Sequence, residues 1–393
     1  MKTFLKFDKF NQLNEAVNSL KLNLPAEIYK IAELYKKHGH SLYLVGGAVR
    51  DAVLGKVPKD FDFATDATPQ QSHKFLESTY KVISTIKQED LGVIVVVGHD
   101  DTYEIATFRE DVGIGRRPDS VNWATIETDV KRRDLTINAL FYDLNTKQIV
   151  DLVGGLDDMK TGIIKTVGHP NDRFNEDALR KLRAIRFAGK MNYHLDKDVE
   201  NSLLNDNTLD GVSGERIREE FYKSIISSKD TKHYLELVKK FGFFEKIFPG
   251  LNVHIKDFLN TNDWLIQLTF ILQDNTIASI DKILNHLKYS SEEIQCVKFL
   301  LSLKTLSEDN LIEMKKSLQI VKDNKHFHLK NEQILKFSKI LGLDMNFIKA
   351  FLNFTLTVNG NDLIKSGIKP GPELGKKIKE MESINFLNFL RNR

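Results

Sequence analysis

The sequence predicts an α+β chain: a small head with a mixed β-sheet, then a long helical body. Two observations carry this. Residues 40–152 alternate short apolar runs with helical segments. After Asp177 almost every segment has helical periodicity, punctuated at Pro249-Gly250 and Pro370-Gly371-Pro372.

The elements follow in order. Residues 26–39 place Ile28, Ile31, Ala32 and Tyr35 on one helical face, closed by Gly39. Residues 42–45 (LYLV) form a short buried strand, and 48–54 continue as a helix. Residues 61–64 are extended, and 69–80 are helical after Pro69. VIVVV (93–97), a turn at 98–102 and YEIATF (103–108) read as a hairpin. Residues 110–122 are polar and glycine-rich, hence a loop, and 139–144 form a further strand.

Bulk properties exclude several classes. The 393 residues are 41% hydrophobic and 28% charged, as in ordinary globular proteins. A net charge of +3 provides no basic tail, so any nucleic-acid surface must be local. One cysteine, Cys296, rules out a disulfide framework and a cysteine-based zinc site. No apolar run reaches the ~18 residues of a membrane span. The N-terminus lacks a signal-peptide core, so the expected partners include no membrane and the expected compartment is the cytoplasm.

The chemistry starts at Gly46-Gly47, where a strand becomes a helix. Glycine lets backbone approach a ligand closely, and a helix N-terminus offers unpaired N–H groups to phosphate. Asp60 and Asp62 follow, two residues apart in extended chain, so both project to one side. Paired carboxylates repel unless a cation sits between them, and Mg²⁺ suits oxygen ligands that leave room for phosphate. A lone Asp-x-Asp is usually a solvated turn. Joined to the glycine pair, it points to metal-assisted phosphoryl or nucleotidyl transfer. Glu104, on a strand face with Ala106 and Phe108, is the candidate third acid; a sheet-edge salt bridge is the alternative.

Five ordered motifs then carry a resemblance. They are GGAVRD with DFDFAT (46–51, 60–65), KRRDLTINA (131–139), DLVGG through Asp158 (151–158), EDALRKLRAIRF (176–187) and SGERIREE (213–220). The C-terminal segment, with IKPGPELG at 368–375, makes a sixth. Together they resemble the class II tRNA nucleotidyltransferases, the CCA-adding enzymes and their bacterial poly(A) polymerase relatives. Residues 251–355 match only loosely.

The resemblance implies an N-terminal extension (1–25), a catalytic head (26–152), a helical neck for base selection (153–230), a body (231–330) and a tRNA-binding tail (331–393). It implies two Mg²⁺ ions, CTP and ATP as substrates, and template-independent addition of C, C and A to the 3′ end of tRNA. It sets no oligomeric state.

The resemblance also assigns roles. Asp60, Asp62 and Glu104 would be catalytic, the first two as metal ligands. Gly46, Gly47, Arg50, Arg133, Asp134 and Asn138 would hold triphosphate and ribose. Asp177 and Arg180, three apart and so expected on one helix face, would read the base. Cytosine and adenine both present an amino donor beside a ring-nitrogen acceptor. An Asp acceptor next to an Arg donor suits them and disfavours guanine and uracil. Arg183 and Arg186 would meet triphosphate or tRNA phosphate, or else solvate a neck face. Lys369, Lys376 and Lys377 would contact tRNA in the tail.

Residues 109–121, with Arg116 and Arg117, match the flexible loop of members that add the terminal A. Two departures bear on that last step: Ile114 stands where an acid is frequent, and Gly92-Val93 where Gly-Thr is more usual. The rivals are a poly(A) polymerase, a CC-only or A-only enzyme, a non-catalytic RNA-binding homologue and a small-molecule nucleotidyltransferase.

Overall fold

The computed structural model describes residue 22 and residues 24–58, 60–84, 91–99, 101–113, 120–255 and 258–392. Ile114, Arg116 and Arg117 of the loop, and most of the expected N-terminal extension, lie outside the described residues. The chain divides into two units. One runs to Val212 and takes in Ser228–Phe241; the other holds Ser213–Ser227 and the chain from Gly242 onward.

The first unit is built on seven strands: β1 (Leu42–Val45), β2 (Asp62–Thr65), β3 (Lys81–Ile83), β4 (Val93–Val97), β5 (Thr102–Thr107), β8 (Phe141–Asp143) and β9 (Gln148–Val150). Their order is β3-β4-β5-β2-β1-β8-β9. β2 and β5 run parallel, and the other neighbours are antiparallel. The sheet is therefore mixed, as expected. The β4–β5 hairpin forms where VIVVV and YEIATF predict it.

Alternation along β2 sorts its side chains. Phe63 is buried on one face, its ring edge-on to Tyr103. Burial of such a side chain contributes about 1.5–3 kcal/mol. Ala64 is buried on the other face, in a cluster with Val45, Phe108, Val130, Ala139 and Phe141. Asp62 shares that second face one pleat earlier and is exposed.

Three local expectations change. Residues 110–122 are not a simple loop: β6 (Arg109–Val112) and β7 (Ser120–Trp123) pair as an antiparallel ribbon. Their polar residues on both faces hid the strand signal. The helix after Pro69 ends at Leu76, and β3 takes up Lys81–Ile83. Finally, Ile163–Ile164 pairs in parallel with His194–Leu195, a two-residue ladder too short to leave a periodic pattern.

The second unit is helical throughout its described regular elements. Ser213 caps the Gly214–Ser227 helix by accepting from the Arg216 N–H at 3.4 Å. Leu265–Ile271 are all buried, as an all-round apolar helix demands. Among the described residues no helix is long and apolar enough to cross a membrane.

Candidate active site

Gly46 turns the chain out of β1. Its φ of +68° lies where side-chain-bearing residues are strained, and its N–H donates to the Leu140 carbonyl at 3.0 Å. Gly47 then opens the short Gly47–Val53 helix. Val45, the last residue of β1, pairs with Asp62. The glycine turn and the first acid of β2 thus meet at one end of the sheet.

Across the parallel ladder Asp62 pairs with Glu104, so both project from the same face. Glu104 is exposed, not the costly buried misfit that its apolar neighbours suggested; Tyr103 and Ile105 take the core face of β5. Asp60 lies just before β2 and is also exposed. Burial among neighbouring atoms and the Asp60 charge raise the Asp62 carboxyl above its ordinary value, while Arg133 opposes the shift. An Asp62 carboxylate that the neighbouring Asp60 charge opposes is relieved by a cation seated between the two. Among the described residues no three acids, histidines or cysteines are gathered to hold an ion. A two-carboxylate seat fits Mg²⁺, which keeps waters and phosphate oxygens among its ligands.

Behind these acids stands a residue that the sequence reading missed. Asp129 is 1% exposed. It accepts from Arg132 at 2.6 and 2.9 Å, from Arg133 at 3.0 and 3.1 Å, and from the Arg109 N–H at 3.3 Å. Arg133 also lies 4.5 Å over the Phe141 ring. Burial lowers the Arg133 pKa, and the Asp129 charge resists that change. The only sequence signal was an acid three and four residues ahead of two arginines.

A polar relay links the glycine helix to the later motifs. Buried Arg50 donates to Asp51 at 2.9 Å and to the side-chain carbonyl of Asn138. Its guanidinium also stacks 5.0 Å from the Phe187 ring centre. Asn138 donates to Asp134 at 3.3 Å, and Asp134 accepts from Arg183 at 2.6 and 2.8 Å. Burial alone would raise the Asp134 carboxyl. Arg183, the Leu135 N–H and Asn138 outweigh it and hold the pKa below its ordinary value. Arg50 and Asn138 therefore brace the site from beneath. Arg186, 9% exposed, sits 4.4 Å over Phe187 and is no solvated face.

The base-reading pair is arranged differently from the expectation. Asp177 is not on the helix of Arg180. It occupies the break between the Pro170–Glu176 and Leu179–Met191 helices, with φ −155°. There its carboxylate accepts from the Leu179 N–H at 3.2 Å. An Asp satisfies a helix's first donors better from outside the helix than within it. Arg180 donates to Glu176, to the Arg173 carbonyl at 3.3 Å and to the Arg132 carbonyl at 3.0 Å. Among the described residues, three of its five N–H donors are thereby used and two remain. Arg180, Glu176, Arg132, Arg173 and Asp111 line a cleft of about 220 Å³. The Arg132 carbonyl joins this cleft to the residue next to Arg133, and so to the acids.

Lys369, Lys376 and Lys377 are exposed in the second unit. The latter two lie on the Pro372–Arg391 helix, and Lys377 pairs with Glu380 at 3.3 Å.

Comparison with known proteins bears on the whole chain. Residues 42–165 match the poly A polymerase head domain, and residues 192–255 match the probable RNA and SrmB-binding site of polymerase A. The CCA-adding enzyme of Ligilactobacillus salivarius is 33% identical over 94% of this chain and 95% of its own. That of Streptococcus agalactiae is 30% identical over 95% and 96%. The crystal structure of the Bacillus stearothermophilus CCA-adding enzyme in complex with CTP is 25% identical, covers 92% of each chain and superposes with a TM-score of 0.69. The Thermotoga maritima enzyme complexed with tRNA, 20% identical with a TM-score of 0.66, shares the fold over 97% of each chain. With near-complete coverage at this identity, the chain is a member of the CCA-adding enzyme family, whose members are nucleotidyltransferases.

Proposed function

We propose that the protein adds C, C and A in turn to the 3′ end of tRNA, consuming CTP and ATP and releasing pyrophosphate. The observation that carries the reading is the first unit itself. It combines a two-carboxylate seat beside Glu104 with an arginine-lined cleft, in a chain like CCA-adding enzymes almost throughout. We assign residues 26–152 to the head, 153–230 to the neck, 231–330 to the body and 331–393 to the tail. The cytoplasm, where tRNA is used, is the assigned compartment.

Asp60 and Asp62 would hold Mg²⁺, two ions in all. When bound, the metal lowers the pKa of the attacking hydroxyl and neutralises charge on the phosphates. The chain's own residues do the rest. Glu104 stands beside Asp62 to orient the 3′-hydroxyl or take its proton. The glycine turn admits the triphosphate close to the backbone. Arg133, fixed by Asp129, supplies positive charge toward the acids and the α-phosphate. Asp134 takes a ribose hydroxyl with Asn138 holding it from beneath, and Arg183 takes phosphate charge with Arg186 packed behind it on Phe187.

Arg180 offers an N–H donor to the ring nitrogen of C or A, and Asp177 accepts from the amino group. Guanine and uracil would face these groups with the wrong donors and acceptors, a mismatch of about 1–3 kcal/mol per bidentate contact. Lys369, Lys376 and Lys377 bind tRNA phosphate.

The test uses tRNA transcripts that end before the first C, the second C or the A. Each is incubated with CTP and ATP, and the products are sequenced. Growth that stops at CCA supports the reading; long A tails would show a poly(A) polymerase, and arrest at CC a partial enzyme. Asp60→Ala and Asp62→Ala should each abolish incorporation of both nucleotides while tRNA binding persists. Near-normal turnover in either variant would remove the metal assignment.

A further inference from the structure

Lys315, Lys316 and Lys322 lie on the Leu311–Asp323 helix of the second unit. Lys315 and Lys322 are two turns apart, so they share a face. All three line a cleft of about 410 Å³ whose far wall includes Asn353 and Thr355. The Lys315 ammonium also lies 5.1 Å from the Phe351 ring centre.

Surface lysines ordinarily extend into water or pair with a carboxylate one turn away. Here the acids nearest in sequence are Glu313, two residues before Lys315, and Asp323, next to Lys322; Asp323 accepts from Gln319 at 2.6 Å. Among the described residues the ion pairs of this unit, such as Lys298–Asp281 and Lys377–Glu380, involve none of the three. Burial and the Lys322 charge push the Lys315 ammonium down to about 8. Like charges held in one polar cleft raise the energy of the protein until an anion enters. Lysine is a point-charge partner for phosphate; the Thr355 hydroxyl adds a neutral donor, as does the second N–H of the Asn353 amide, whose first donates to the Lys349 carbonyl at 2.7 Å.

We propose that Lys315, Lys316 and Lys322 seat a backbone phosphate of the RNA substrate, in the unit that does not hold Asp60 and Asp62. The inference rests on the RNA-substrate reading above and adds a contact point that the sequence motifs do not mark. A phosphodiester is favoured because the chain's substrate supplies one at every nucleotide, and because the seat asks for charge with no base-specific group.

The experiment measures binding of the full chain to a tRNA transcript lacking CCA, by fluorescence anisotropy across a KCl series. Lys315→Gln/Lys322→Gln is compared with Lys246→Gln/Lys282→Gln, which removes two exposed charges elsewhere in the same unit. The cleft variant should bind about tenfold more weakly, with a log–log salt slope shallower by about one. Its KM for CTP and its kcat at saturating tRNA should not change, and the control should shift binding less than twofold. Equal weakening in both variants, or wild-type affinity in the cleft variant, overturns the proposal. If the double variant does not fold, Lys322→Gln alone should weaken binding about threefold, and no change there overturns the seat. Wild-type protein that binds tRNA without adding nucleotides would refute the proposed function and leave the binding comparison valid; wild-type protein that does not bind tRNA refutes both.

Discussion

Asp129→Asn tests whether the arginine scaffold behind the acids is held by one buried charge. The substitution preserves shape but removes the negative charge and turns one acceptor into a donor that faces a guanidinium. Asp129 receives four guanidinium N–H bonds of 2.6–3.1 Å from Arg132 and Arg133. Breaking a buried ion pair from one side costs about 3–5 kcal/mol. Arg132 is partly exposed and has Asp111 at 3.9 Å to fall back on, so the loss belongs at the low end, about 3 kcal/mol. For a unit of this size that lowers the melting temperature by roughly 6–12 °C. Arg133 would also lose its fixed position near Asp62, so kcat/KM for CTP should fall at least about tenfold. Urea titration and initial-rate assays on the same preparation give both numbers. A stability loss below about 1 kcal/mol with unchanged kcat/KM would refute the reasoning.

Three further outcomes are expected. Asp134 has a depressed pKa in the fold, so its ionised form contributes stability that is present above 3.8 and lost as pH falls through the folded value. Asp134→Asn should therefore cost about 1.5–3 kcal/mol at pH 7, and the gap from wild type should close in acid melts; a pH-independent gap would refute the pairing with Arg183. Gly46→Ala places a side chain at φ +68° and should destabilise by about 1–3 kcal/mol, whereas Gly47→Ala meets only an ordinary 3.5 Å contact with Arg50. Equal melting temperatures for those two variants would contradict the turn geometry. Arg180→Ala should raise UTP and GTP misincorporation before it abolishes transfer, as read from sequenced products; unchanged selectivity would sink the base-reading role.

What was legible in the sequence had a local cause. β1 and the β4–β5 hairpin show as apolar runs bounded by turn residues, and Gly-Gly marks a backbone that must turn, with the positive φ falling at Gly46. Asp60 and Asp62 stand out because their spacing has meaning in any extended segment. What was missed depends on distant partners. Asp129 sits in the acidic run Glu127–Asp129, which resembles a solvated surface. Its burial follows from Arg109, twenty residues earlier, and from two arginines that need its charge. Arg50 reads as a phosphate ligand from its motif, yet Asn138 and Phe187, far along the chain, turn it inward. Asp177 and Arg180 have helical spacing on paper, but Asp177 is extended at the end of one helix, where its carboxylate accepts from the Leu179 N–H of the next, a local side-chain bond that competes with a continuous helix.

β2 is the fourth of seven strands, with three on either side. Sheets loosen from their edges, where backbone amides open to solvent most readily. The amides of Asp62 and Phe63 should therefore be among the last in the sheet to exchange for deuterium, well after those of β3 and β9. Partial fraying on warming would then strip the periphery while the paired carboxylates stay in register. Thermal inactivation should consequently follow collapse of the whole head, not gradual erosion of its rim.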